Sequence, residues 1–162
     1  MPYGGNDWLD ITKEDIIEPS LPICDPHHHY WDLRVERTPY GRYLLHELLD
    51  DISGHNITST VFIEARAMYN ADIEKDLKPV GEVEFVEGIS AASASGIYGK
   101  SRASASIIGH ANLNLGDRVE PVLQSLLEAS PRRFKGIRHI AVSYTHLRAH
   151  ETGRNLVCRL LL

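Results

Sequence analysis

The strongest constraint on the fold is an alternation of two hydrophobic periods along the chain. Leu21–Asp25, Ile57–Ala65, Ala103–His110 and Phe134–Ala141 are short runs rich in apolar or β-branched residues. That is the composition of strands buried in a sheet. Between them apolar residues recur at helical spacing: Leu45, Leu48, Leu49 and Ile52, then Val83, Val86, Ile89 and Ala92, then Val119, Val122, Leu123, Leu126 and Leu127. Each set makes one stripe on a helix. The punctuation agrees. Thr38-Pro39 reads as a cap and first-turn proline, and Gly54 as a stop. Pro79 opens the second helix, whose Val-Glu-Val-Glu-Phe-Val stretch is also compatible with a strand; Asp117 caps the third, with Pro121 in its first turn. Repeats of a few tens of residues, strand then helix, predict βαβ units and a parallel α/β sheet.

Titratable side chains gather where these strands end: His27, His29, Glu64, His110, Arg138 and His139. Ligand sites of parallel α/β folds sit at the C-terminal strand ends. No Gly-rich phosphate loop accompanies them, which favours a barrel over a nucleotide-binding sheet. The run Ile23-Cys24-Asp25-Pro26-His27-His28-His29-Tyr30-Trp31-Asp32 stands out. Alternate residues of an extended chain share a face, so His27 and His29 point into one space and His28 points away. Two imidazoles so placed form half of a metal site. The competing reading, a solvated turn or a tag, fits poorly with Asp25 and Trp31 around an internal position. His46 and His55 read as solvent-exposed.

Composition bounds the rest. The 162 residues are 43% hydrophobic and 24% charged, enough for one domain with a core. The net charge of -5 and the lack of a long basic run argue against a nucleic-acid partner. No apolar run is long enough to cross a membrane. Residues 1–20 carry Asp and Glu, lack a signal-peptide core, and read as a lead-in segment with one helical turn from Thr12. Two cysteines, Cys24 and Cys158, give no disulfide framework, so a cytoplasmic setting is expected.

These residues together resemble the amidohydrolase-related metal-dependent hydrolases, TIM-barrel enzymes that include lactonases. Asp25-Pro26-His27-His28-His29-Tyr30-Trp31 matches that family's opening Asp-x-His-x-His-aromatic-Trp pattern. Val61-Phe62-Ile63-Glu64-Ala65, Gly109-His110-Ala111-Asn112-Leu113 and Arg133-Phe134-Lys135-Gly136-Ile137-Arg138-His139 are similar to the ends of its second and third strands and to its fourth strand, in that order. The resemblance covers residues 21–141. It implies the N-terminal half of a (β/α)8 barrel, about four strands and three helices, truncated. It implies that His27 and His29 ligate a divalent metal, Zn²⁺ first and Mn²⁺ as the alternative. The family also includes lactonases thought to work without a metal. Glu64, His110, Arg138 and His139 become candidate substrate-binding residues, with support of the site as the other reading. In the family, further histidines come from the fifth and sixth strands and an aspartate base from the eighth. No catalytic residue is therefore assigned here. The implied reaction of the parent is hydrolysis of a lactone or related carbonyl ester or amide, a small-molecule substrate, by metal-activated water. Decarboxylation on the same scaffold, or an inactive fragment, are the alternatives.

The tail has a different character. Val142-Ser-Tyr-Thr-His-Leu-Arg-Ala-His-Glu-Thr152 resembles one reading frame of a translated transposon adapter, and Asn155-Leu-Val-Cys-Arg-Leu-Leu-Leu162 the translated outer primer, with Gly153-Arg154 between them fitting a sample barcode. Residues 142–162 are expected to be adapter-derived and non-native. His146 and His150 imitate an i, i+4 zinc pair on a helix, and are set aside for that reason.

Overall fold

The computed structural model describes residue 11, residues 14–33 and 40–140, and the backbone of 155–159. It is an α/β structure. Strands β1 (Ile23–His28), β2 (Ile57–Ile63), β3 (Arg102–Gly109) and β4 (Phe134–Ile140) form a parallel sheet in sequence order. Helices α1 (Leu45–Asp51), α2 (Val80–Ala94) and α3 (Glu120–Ala129) make the three connections. Strand β5 (Asn155–Arg159) pairs antiparallel with β4, from Gly136 opposite Arg159 to Ile140 opposite Asn155. The helix on which His146 and His150 would share a face lies outside the described residues. Among the described residues no helix is long and apolar enough to cross a membrane.

One core joins the sheet to all three helices. Phe62 and Ile107 from the strands meet Leu45 and Leu48 of α1, Val83 and Val86 of α2, and Val122 and Leu126 of α3. Gly109 shows how close the layers come. A Cβ there would lie 3.0 Å from Val83 Cγ2, 3.1 Å from Phe134 Cε2 and 3.6 Å from Leu126 Cδ2, so α2 and α3 cover the same face of β3. Gly109→Ala is therefore expected to destabilise the fold by about 1–3 kcal/mol, the usual cost of overpacking. Chemical denaturation measures it, and an unchanged midpoint would mean that the helices can retreat freely. Alternation turns Val61, Ile63, Ser106 and Ile108 to the opposite face.

Several boundaries differ from the sequence reading. β1 runs on through Pro26 to His28 instead of ending at Asp25. α1 starts at Leu45, where the Leu44 N–H donates to Glu47 Oε2 at 2.8 Å; Thr38 and Pro39 lie outside the described residues. Asp117 is not a cap. It lies in a 3₁₀ stretch, Leu113–Val119, that turns at Gly116 (φ 58°), and α3 begins at Glu120. Pro121 is in the first turn as expected. The inward face of α2 is Glu82, Val83, Val86, Ser90 and Ser93, with Ile89 and Ala92 only half-buried. It is more polar than the stripe anticipated, and β3 explains why. β3 carries two extra residues between its pairings with Ser59 and Val61, and Ser104 there adopts φ 52°. The displaced backbone groups need partners. Ser90 Oγ donates to Ser104 O at 3.1 Å, Ser93 Oγ accepts from Ala103 N at 2.9 Å, and Ser93 Oγ donates to Ser101 O at 3.1 Å.

Candidate functional site

The histidine run owes its shape to Asp25 and Pro26. β1 holds one extra residue between its pairings with Thr60 and Phe62. Proline has no N–H to lose at such a bulge. Asp25 Oδ1 accepts the His27 N–H at 3.0 Å. After the bulge, His28 and Tyr30 turn into the core, at 7% and 0% exposure. His27 is exposed and His29 half-buried. Their Nε2 atoms face each other at 3.2 Å, with the rings nearly perpendicular at 88°.

The state of His29 follows from its other nitrogen. Nδ1 lies 2.7 Å from Ile63 O, and a carbonyl can only accept. Nδ1 therefore carries the proton and Nε2 the lone pair. Burial pushes the His29 pKa down, against the hydrogen bond to Ile63, with further lowering from His27 and Arg138. A tetrahedral zinc with Zn–N bonds of about 2.0–2.1 Å sets two ligand nitrogens about 3.3 Å apart. The 3.2 Å separation lets His27 Nε2–H donate to His29 Nε2, and it is also compatible with that geometry. The donor chemistry fits a borderline divalent cation as well. Among the described residues, no group of three or more His, Cys, Asp or Glu side chains gathers as a metal cage. His27 and His29 stand as a pair, and His146 and His150 lie outside the described residues.

Beside the pair lies a buried ion pair. Glu64 follows β2, and its N–H continues the ladder to Ile108 O at 2.8 Å. Arg138 reaches from β4 past β3, donating from Nε to Glu64 Oε1 at 2.9 Å and from Nη2 to Glu64 O. The two side chains are 11% and 1% exposed. Next along the rim, His110 Nδ1 donates to Arg138 O at 3.0 Å, while His139 Nδ1 accepts the Leu113 N–H at 3.2 Å. Opposite tautomers result: His110 keeps its lone pair on Nε2, and neutral His139 keeps its proton there. The rings stand 5.6 Å apart. Burial pushes the His110 pKa down. Four of the six sequence candidates, Glu64, Arg138, His110 and His139, are thus linked into one rim. His27 and His29 pair beside it, and His110 and His139 do not join them in a metal cage. His46 and His55 are exposed.

Two groups escaped the sequence reading. Glu82, in the first turn of α2, accepts the Ala65 and Ala67 N–H groups on Oε1 at 2.9 and 2.8 Å. It fixes a loop in which Arg66 and Met68 both take positive φ. Glu82 Oε2, Glu64 Oε2, Tyr69 Oη and, away from this loop, His28 Nδ1 are buried without partners among the described residues. Burial pushes the Glu82 pKa up to about 7, with Glu64 adding to the rise and the two N–H donors opposing it. The available signal was an acid three residues after Pro79, a helix-start pattern. The serines of α2 gave no signal beyond their presence.

Comparison of the chain with known protein families, curated proteins and solved structures finds no match.

Proposed function

We propose that this chain is the N-terminal half of a (β/α)8-barrel, metal-dependent hydrolase whose parent opens a lactone or a related carbonyl ester or amide. The observation that carries the reading is the His27–His29 pair, with facing Nε2 atoms 3.2 Å apart at the C-terminal end of the first strand. Three features support the barrel: parallel strands in the order β1-β2-β3-β4, helices α2 and α3 covering one face of β3, and polar side chains collected at the C-terminal strand ends. Free Cys24 accords with a cytoplasmic setting.

His27 and His29 would hold the cation through Nε2, and Zn²⁺ or Mn²⁺ bound there would polarise a substrate carbonyl and acidify a water. The chain's own groups prepare this. Ile63 O holds the His29 ring in the tautomer that presents a lone pair. Arg138, anchored by Glu64, stands at the rim beside His29, and the two charges act on that imidazole in opposite directions. No aspartate base is assigned among these residues. The 162-residue chain is therefore expected to bind metal without turning over substrate.

Metal analysis tests the ligand assignment. The wild-type chain, equilibrated with zinc or manganese and desalted, should retain metal that the His27→Ala/His29→Ala variant loses. Equal content in both removes the assignment. The same reading treats residues 142–162 as adapter-derived and β5 as a foreign strand on β4. Resequencing the source DNA past the Ala141 codon should return further βα units with histidines and a late aspartate. A stop codon there removes the half-barrel reading.

A further inference from the structure

The backbone pairing of β1 with β2 is irregular. It shifts twice in six residues, between Ile23 and Cys24 and between Asp25 and His28. Pro26 contributes no N–H, and the Asp25 side chain is occupied locally with His27 N. A one-residue slip would send His27 and His29 to the helix-covered face. Some group that senses the neighbouring strands must prevent it.

His28 has that reach. Its Nε2 lies 2.8 Å from Thr60 Oγ1 on β2 and 3.3 Å from Ser104 Oγ on β3, two strands away. Thr60 Oγ1 also accepts the Ser104 N–H at 2.8 Å, and Ser104 Oγ donates to Tyr30 Oη at 3.2 Å. His28, Thr60 and Ser104 are 7%, 0% and 0% exposed. Every member sits at an irregularity. His28 ends the β1 bulge, Thr60 lies where the β2–β3 register shifts, and Ser104 occupies the left-handed position of the β3 bulge. A buried polar group without its partner costs about 1–3 kcal/mol, so a slipped β1 would lose, in a dry environment, the contacts of His28 with Thr60 and Ser104 and of Tyr30 with Ser104. Apolar contact alone is less discriminating. Tyr30 stacks on Phe62 at 5.6 Å and His28 meets Phe62 edge-on at 5.9 Å, contacts that a neighbouring aromatic could reproduce.

We propose that His28, clamped to Thr60 and Ser104, is the positioning residue that sets the register of β1 and so aims His27 and His29 at a common point. The metal-binding half of this inference rests on the proposed function; the register half does not. Two readouts on the full chain, labelled with ¹⁵N, separate them. Long-range ¹H–¹⁵N correlation reports the His29 tautomer, and Co²⁺ titration reports the paired ligands. Wild type and His28→Gln, whose amide can reach Thr60, should show the Nδ1–H tautomer of His29. His28→Phe keeps the ring packing but not the clamp, and Thr60→Val removes the clamp from its other end with His28 intact. Both should lose that tautomer and weaken Co²⁺ binding about tenfold or more, as loss of ligand-orienting bonds does. His28→Gln should stay close to wild type. Retention of the tautomer and of wild-type Co²⁺ affinity in both His28→Phe and Thr60→Val overturns the proposal. If wild type binds no Co²⁺, the metal reading fails, and the tautomer comparison still decides the role of His28.

Discussion

Arg138→Met is expected to lower the unfolding free energy by about 3–5 kcal/mol, because it leaves the Glu64 carboxylate buried without its counter-ion. The case rests on burial. An exposed ion pair is worth about 0–1 kcal/mol, but Glu64 is 1% exposed and its Oε2 already lacks a partner. Methionine fills much of the arginine stem's volume, so the loss reports charge more than packing. Glu64→Gln should cost less, since it leaves the carbonyl bond from Arg138 Nη2 in place. The double variant should cost less than the sum, because neither charge then remains alone. Urea unfolding at pH 7 measures all three. Single variants within about 1 kcal/mol of wild type would mean that the pair is solvated in the folded chain.

The second large effect is a dependence on pH. Glu82 titrates near 4.5 when unfolded and is pushed up to about 7 by burial. Its folded pKa is raised, so its favourable contribution is complete below about 4.5 and is lost as pH rises through 7. In that interval the unfolded chain gives up a proton that the folded chain keeps. The span corresponds to about 3 kcal/mol, taking about 1.4 kcal/mol per unit. Glu82→Gln removes the titration and retains an Oε1 acceptor for Ala65 and Ala67. Relative to wild type, the variant should gain about 3 kcal/mol between pH 4.5 and 7.5. Thermal or urea unfolding of both proteins across that range gives the difference directly. Parallel curves would show that Glu82 ionises in the folded chain as easily as in water.

What could be read from the sequence was periodic. Runs of β-branched residues and stripes at helical spacing located the four parallel strands and the three helices, because burial on a sheet imposes those periods directly. The i, i+2 spacing of His27 and His29 was legible for the same reason. Features that depend on register were not. His110 finds His139 only because Gly109 lies opposite Ile137, a cross-strand fact that neither segment states by itself. The inward polar face of α2 was hidden because Ser90 and Ser93 answer a bulge in β3 that no composition announces. Asp117 looked like a cap, but the turn at Gly116 delays the helix to Glu120. The end of β1 was missed because Asp25 and Pro26, usual breakers, here build a bulge inside the strand.

The strand order has a consequence for how the chain comes into being. Since β2 pairs with β1, β3 with β2 and β4 with β3, each new strand meets a partner that was synthesised before it. Translation adds about 5–20 residues per second, so the interval between successive strands is a matter of seconds. Pairings this local in sequence carry a modest loop-closure cost. The sheet can therefore grow outward from β1 during synthesis, with the contact from His28 to Ser104 made only once β3 has emerged.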